Sequence, residues 1–146
     1  MNDSQLMSPP SIRLAGAQGR MVVSRPAPSV VAVELGGRHV GDLADALSRE
    51  IEPELAAQLP LQLFVDARRN VGVSMMMSHV WGRWFAQHHD HLARVALLTG
   101  SGFLRLTGDF VFAFAGLGQK LELFVDPAAF QRVQARAARL GPTPQV

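Results

Sequence analysis

Two aspartates stand directly after short apolar runs, Asp66 after Leu61-Gln-Leu-Phe-Val65 and Asp126 after Leu121-Glu-Leu-Phe-Val125. Carboxyl ends of strands are where open α/β sheets gather their binding groups, so each aspartate is a candidate acid, base or anchor. Asp126 is followed by Pro127. An aspartate that caps and a proline at the first helical position make a helix start, and that role explains Asp126. Asp66 is followed by Arg68 and Arg69, then by Ser74 and Ser78 at the head of an apolar-periodic stretch. Hydroxyls there cap free backbone N–H groups. A phosphate on Ser74 would meet a helix N-terminus with Arg68 and Arg69 close by, a favourable place for negative charge. Asp66, Arg68, Arg69, Ser74 and Ser78 are therefore the expected contact surface for a partner, with Ser74 as its candidate phosphorylation site.

The remaining chemistry-bearing residues lead to no reaction. His79, His88, His89 and His91 cluster in sequence. His88 falls on an apolar stripe, however, and consecutive helix positions point to different sides, so packed or surface histidines are expected and no metal site. Gly100-Ser-Gly102 precedes a helical pattern but is neither a dinucleotide fingerprint nor a phosphate loop. The chain has no cysteine, which removes disulfides, thiolate metal sites and a cysteine nucleophile. There is no serine elbow or paired base at recognisable spacing. The expectation is a noncatalytic protein without a cofactor, with a small enzyme using Asp66 kept as the remotest alternative.

The elements that would position these residues follow from periodicity. Met21–Ser24 and Val30–Leu35 read as adjacent antiparallel strands, interrupted by Pro26 and Pro28. Leu43, Leu47, Ile51, Leu55 and Leu59 recur every fourth residue, an amphipathic helix kinked or restarted at Pro53. Leu61–Asp66 is a short apolar run bounded by Pro60, suited to a central strand covered on both faces. A second helix is expected over Met76–Leu92, a strand over Arg94–Leu98 and a third helix over Phe103–Gly116. That third helix carries Phe103, Phe110 and Phe114, whose exposed side is the expected homodimer or partner surface. Leu121–Val125 and the helix from Asp126 to Leu140, stopped by Gly141-Pro142, complete the order. The resulting fold class is α/β, ββαβαβαβα, a mixed five-stranded sheet with right-handed crossovers in its parallel part.

VVAVELGGRHVGDLADAL, LQLFVDARR, the aromatic helix, RVALLTG and LELFVDPAAFQRVQ taken in succession resemble the STAS-like (SpoIIAA-like) family, relatives of anti-sigma-factor antagonists. The resemblance covers roughly residues 20–140 and rests on the strand-helix pattern, with Val65-Asp66-Ala67-Arg68 as the central strand's end. It implies a small cytoplasmic regulatory domain that binds a protein partner such as a kinase or anti-sigma-type regulator, and in some members a ligand. In the antagonists a serine in an Asp-Ser-x-Gly-like turn is phosphorylated. Here the loop reads Asp66-Ala-Arg-Arg-Asn-Val-Gly-Val-Ser74, so the serine follows the glycine. A small-molecule or lipid carrier on the same fold is the alternative.

Composition bounds these readings. A chain of 146 residues, 48% hydrophobic and 18% charged, suits one core, with residues 1–19 expected as a flexible tail, 20–140 as the domain and 141–146 as a second tail. Thirteen arginines and one lysine leave a net charge of only +2, scattered along the chain, so no nucleic-acid partner is expected. Arg105, Asp109 and several glycines interrupt the most apolar stretch, so neither is a membrane span.

Overall fold

The structure, a computed structural model, describes residues 11–15, 19–37, 41–57, 60–70, 82–98 and 119–140. At its centre is one six-stranded sheet in the spatial order β1-β2-β3-β4-β5-β6: Ser11–Ala15, Gly19–Ala27, Val30–Gly37, Leu61–Asn70, Leu92–Leu98 and Leu121–Phe124. The first three strands form an antiparallel meander, and β3 through β6 run parallel. The five expected strands are thus present as a mixed sheet, with β1 added at the edge. Residues 11–15 had been expected in a flexible tail. Ser11-Ile-Arg-Leu-Ala15 alternates polar and apolar residues and pairs with Arg20–Ser24, so non-local hydrogen bonding supplies the order that composition did not announce.

Two prolines punctuate the β2–β3 hairpin without abolishing it. Pro26 falls where the register shifts between Ser24 and Ala27, a bulge at which a missing N–H costs no ladder bond. Pro28 and Ser29 make the link, and Ser29 has φ 66°, so the pair shows the φ signs of a type II turn. The carbonyl of Ser29 then accepts the N–H of Gln62 at 2.8 Å, tying the turn to the start of β4.

Helices cover both faces. After β3 come α1, Gly41–Glu50, and α2, Glu52–Ala57, the break lying beside Pro53 as its missing N–H and ring clash require. Residues 82–87 form α3, and Pro127–Leu140 form α4. Leu47 and Ile51 of α1 and its end, Leu55 of α2, and Trp84 and Phe85 of α3 pack with Met21, Val33, Leu63, Val65 and Val95 on one face. On the other, Phe130, Ala137 and Val133 of α4 pack with Val30, Phe64, Ala96 and Leu98. Phe130 meets Phe64 and Phe124 edge to face, with ring centroids 5.9 and 5.7 Å apart. Because β4 is sandwiched, all of Leu61–Val65 is buried, as the apolar run predicts.

Three boundaries differ from the sequence reading. β4 continues past Asp66 to Asn70, since β3 keeps pairing beyond a bulge, Gly36 with Arg69 and Gly37 with Asn70. The second helix does not reach Leu92. His88 N–H still bonds the Trp84 carbonyl, but His91 N–H bonds His88 in a tighter turn, and β5 begins at Leu92. β6 stops at Phe124, one residue short of Val125. The expected helix over Phe103–Gly116, with Phe103, Phe110 and Phe114, lies outside the described residues.

Candidate functional site

Parallel pairing places Glu34 of β3, Asp66 of β4 and Leu98 of β5 side by side near the carboxyl ends of their strands. Strand residues two apart share a face, so Arg68 projects beside Asp66. It closes on that carboxylate as a fork: Nε donates to Oδ1 at 3.0 Å and Nη2 to Oδ2 at 2.8 Å, while the Arg68 backbone N–H also donates to Oδ1 at 3.1 Å. The hydrogen bond to Asp66 is the main cause that raises the Arg68 pKa above its ordinary value; desolvation opposes it, and the charges of Asp66 and Glu34 add to it. With the Arg68 side chain 39% exposed, the pair is worth at most about 1 kcal/mol to stability. Its consequence is chemical. Both Asp66 oxygens accept charge-assisted hydrogen bonds from a permanent cation, which fixes the orientation of the two side chains relative to each other.

Around this pair lies a cleft of about 400 Å³. Phe64, Leu98 and Phe130 form its apolar floor, and Ser24, Glu34, Asp66, Arg68, Gln131 and Gln134 its polar rim. The rim thus joins β2, β3 and β4 to α4. α4 is held there by the start foreseen in the sequence: Asp126 Oδ1 accepts the Ala128 N–H at 3.0 Å, and the Asp126 carbonyl accepts the Phe130 N–H at 3.1 Å.

Of the five expected contact residues, Asp66 and Arg68 meet in this cleft. Arg69 lies one position further along β4, paired through its backbone with Gly36. These three stand on a strand and not on the loop expected for them, because β4 is longer than its apolar run. Ser74 and Ser78 lie outside the described residues. Glu34, Gln131 and Gln134 were not singled out from the sequence; only the strand register and the packing of α4 bring them to Asp66, and no local motif marks them.

The histidines form a separate arrangement. His88 lies against Trp84, ring centroids 4.7 Å apart, and burial, with a lesser contribution from His91, lowers its pKa. His89 Nδ1 is 3.4 Å from Asp90 Oδ1, and its carbonyl accepts Lys120 Nζ at 2.7 Å. Among the described residues no group of three or more His, Asp or Glu is placed to hold a metal ion. A second cleft, of about 520 Å³, opens at the opposite end of the strands between the Pro26–Ser29 turn and α2, walled by Pro26, Pro28, Val30, Pro53, Ala57 and Leu61. Its polar edge is Arg25, which donates through Nε to Glu54 Oε1, through Nη1 to Glu50 Oε1 at 2.9 Å and through Nη2 to the Glu50 carbonyl at 2.6 Å.

The class defined by this sheet and its helices is α/β with a SpoIIAA-like fold. Among solved structures the chain is similar to an uncharacterised protein of the DUF3478 family with a SpoIIAA-like fold from Shewanella loihica PV-4, with a TM-score of 0.57 and 12% identity over 86% of this chain and 92% of that one. A likeness at that identity carries the fold and not the chemistry of the cleft. No protein-family model matches the chain, and no curated protein does. Among the described residues no helix is long and apolar enough to cross a membrane.

Proposed function

We propose that this chain is a noncatalytic regulatory domain that binds a protein partner at the carboxyl ends of β3 and β4. The observation that carries this reading is the Asp66–Arg68 fork set in a polar-rimmed cleft: its charges are paired with each other, and its rim offers donors and acceptors from four elements. Such a rim suits recognition of a polar protein surface, where charged groups set orientation and on-rate more than raw affinity. The SpoIIAA-like fold supports a kinase or anti-sigma-type partner, with Ser74, eight residues beyond Asp66, as the position where a phosphate would alter the contact.

The test is affinity capture after cross-linking, from the native lysate, with the wild-type chain and Arg68→Glu compared side by side. A partner held by the wild type and lost by the variant, at unchanged circular dichroism, is the expected result; equal capture by both refutes the site. The apolar second cleft favours a second reading, a small-molecule carrier. Native mass spectrometry of the purified chain should then show a copurifying mass that is lost when Ala57→Phe fills that cleft.

A further inference from the structure

The arginines are less scattered in space than in sequence. Of thirteen, three lie on α4 as Arg132, Arg136 and Arg139, and Pro127–Leu140 contains no acidic residue. The helix buries Phe130 and Ala137 against the sheet. At about 100° per residue, the three arginines fall within roughly 60° of arc on the opposite side, rising about 6 Å and then about 4.5 Å along the axis. All three are exposed. Among the described residues none accepts a hydrogen bond or forms an ion pair with any of them.

Within the chain this arrangement is a cost. Like charges at i, i+4 repel, and only Arg139, in the last turn, gains from the negative end of the helix dipole. Arg132 lies in the first half of the helix, where a positive charge has no such support. Among the described residues the stripe therefore has no ion-pair partner, and its forks match carboxylates repeated at the same helical spacing. Beside Arg136 on the helix surface stands Leu140, 65% exposed, with exposed Ala135 on the other flank. An apolar anchor next to the charges fits a protein better than a phosphate backbone, which offers it nothing to pack against. A single exposed leucine is too little to insert into a bilayer.

We propose that the outward face of α4, Arg132, Arg136 and Arg139 with Leu140, is a docking surface for an acidic helical segment of a partner protein. The inference does not rest on the cleft: Gln131 and Gln134, which line the cleft, occupy a different side of the same helix.

The test uses the full chain, isotopically labelled, titrated with a capped alanine-based helical peptide bearing glutamates at i, i+4 and i+7. Salt is held at about 50 mM, where the screening length still exceeds about 10 Å. Saturable amide shifts confined to α4 are expected. Replacing the stripe (Arg132→Gln, Arg136→Gln, Arg139→Gln) should weaken binding roughly tenfold, the sum of three exposed pairs. The same chemistry at exposed Arg49 and Arg83 (Arg49→Gln, Arg83→Gln) should leave it unchanged. Ala135→Glu, which sets an acid beside the stripe without removing a cation, should weaken it as well. Shifts that are absent or spread over the whole surface overturn the proposal, as do stripe variants that bind like the wild type. So does tighter binding, at the same salt, of a single-stranded DNA oligomer or of vesicles containing phosphatidylserine. Loss of partner capture by Arg68→Glu and loss of peptide binding by the stripe variants are separate outcomes, so either reading can fail alone.

Discussion

Arg25→Met removes the cation that joins the hairpin to the α1–α2 break, and its effect can be worked out from the contacts. Arg25 bonds Glu54 Oε1, Glu50 Oε1 and the Glu50 carbonyl, and both glutamate side chains are only 19% exposed. Glu54 Oε2 is already buried without a hydrogen-bond partner, so the loss of Arg25 leaves that carboxylate with no protein donor at either oxygen. Fully buried pairs cost about 3–5 kcal/mol to break, and exposed ones about 1 kcal/mol or less. With Arg25 itself 31% exposed, water can reach part of the vacated site, which places the expected loss at about 2 kcal/mol. Urea denaturation followed by circular dichroism should show the midpoint falling at constant m-value. Adding Glu54→Gln to Arg25→Met should recover part of the loss, because it removes the unpaired charge. A loss below about 0.5 kcal/mol for Arg25→Met, or a further loss in the double variant, would refute the account.

Substitutions at two other positions test the local physics. Asp126→Ala removes the acceptor of the Ala128 N–H and should cost about 1 kcal/mol in the same denaturation assay, whereas Asp126→Asn should cost little. His88 has a folded pKa below its ordinary value, so the unfolded chain takes up its proton first. Stability should fall as pH drops through the ordinary histidine range toward the lower folded value. Urea midpoints measured across that window should decline less steeply in His88→Asn; an unchanged slope rules His88 out as the cause.

What could be read from the sequence was what depends on neighbours in the chain. The buried β4 run between Pro60 and Asp66, the restart at Pro53 and the Asp126-Pro127 helix start are each set by local chemistry, and each is found where the residues place it. What escaped depends on pairing at a distance. Ser11–Ala15 has too few large apolar side chains to declare itself and becomes a strand because β2 offers an edge. Ala67-Arg-Arg-Asn70 reads as a polar loop, yet β3 keeps pairing past a bulge whose extra residue lies on β4, and draws those residues into the sheet. The candidate site divides in the same way. Asp66 and Arg68 were legible because they are two positions apart, whereas Glu34, Gln131 and Gln134 reach them only through register and helix packing. The arginine stripe was present in the spacing of α4, but its lack of partners among the described residues became visible only with the fold around it.

Every strand of this sheet lies beside the one that precedes it in the chain. Each described strand can therefore dock on the edge left by the one before it, and none of them has to be inserted between two that are paired. A chain leaving the ribosome from its amino end can add the sheet one edge at a time, with β4 joining before β5 and β6 exist. For such a molecule synthesis and assembly proceed in the same direction, and the β2–β3 hairpin would serve as the template on which the later strands grow.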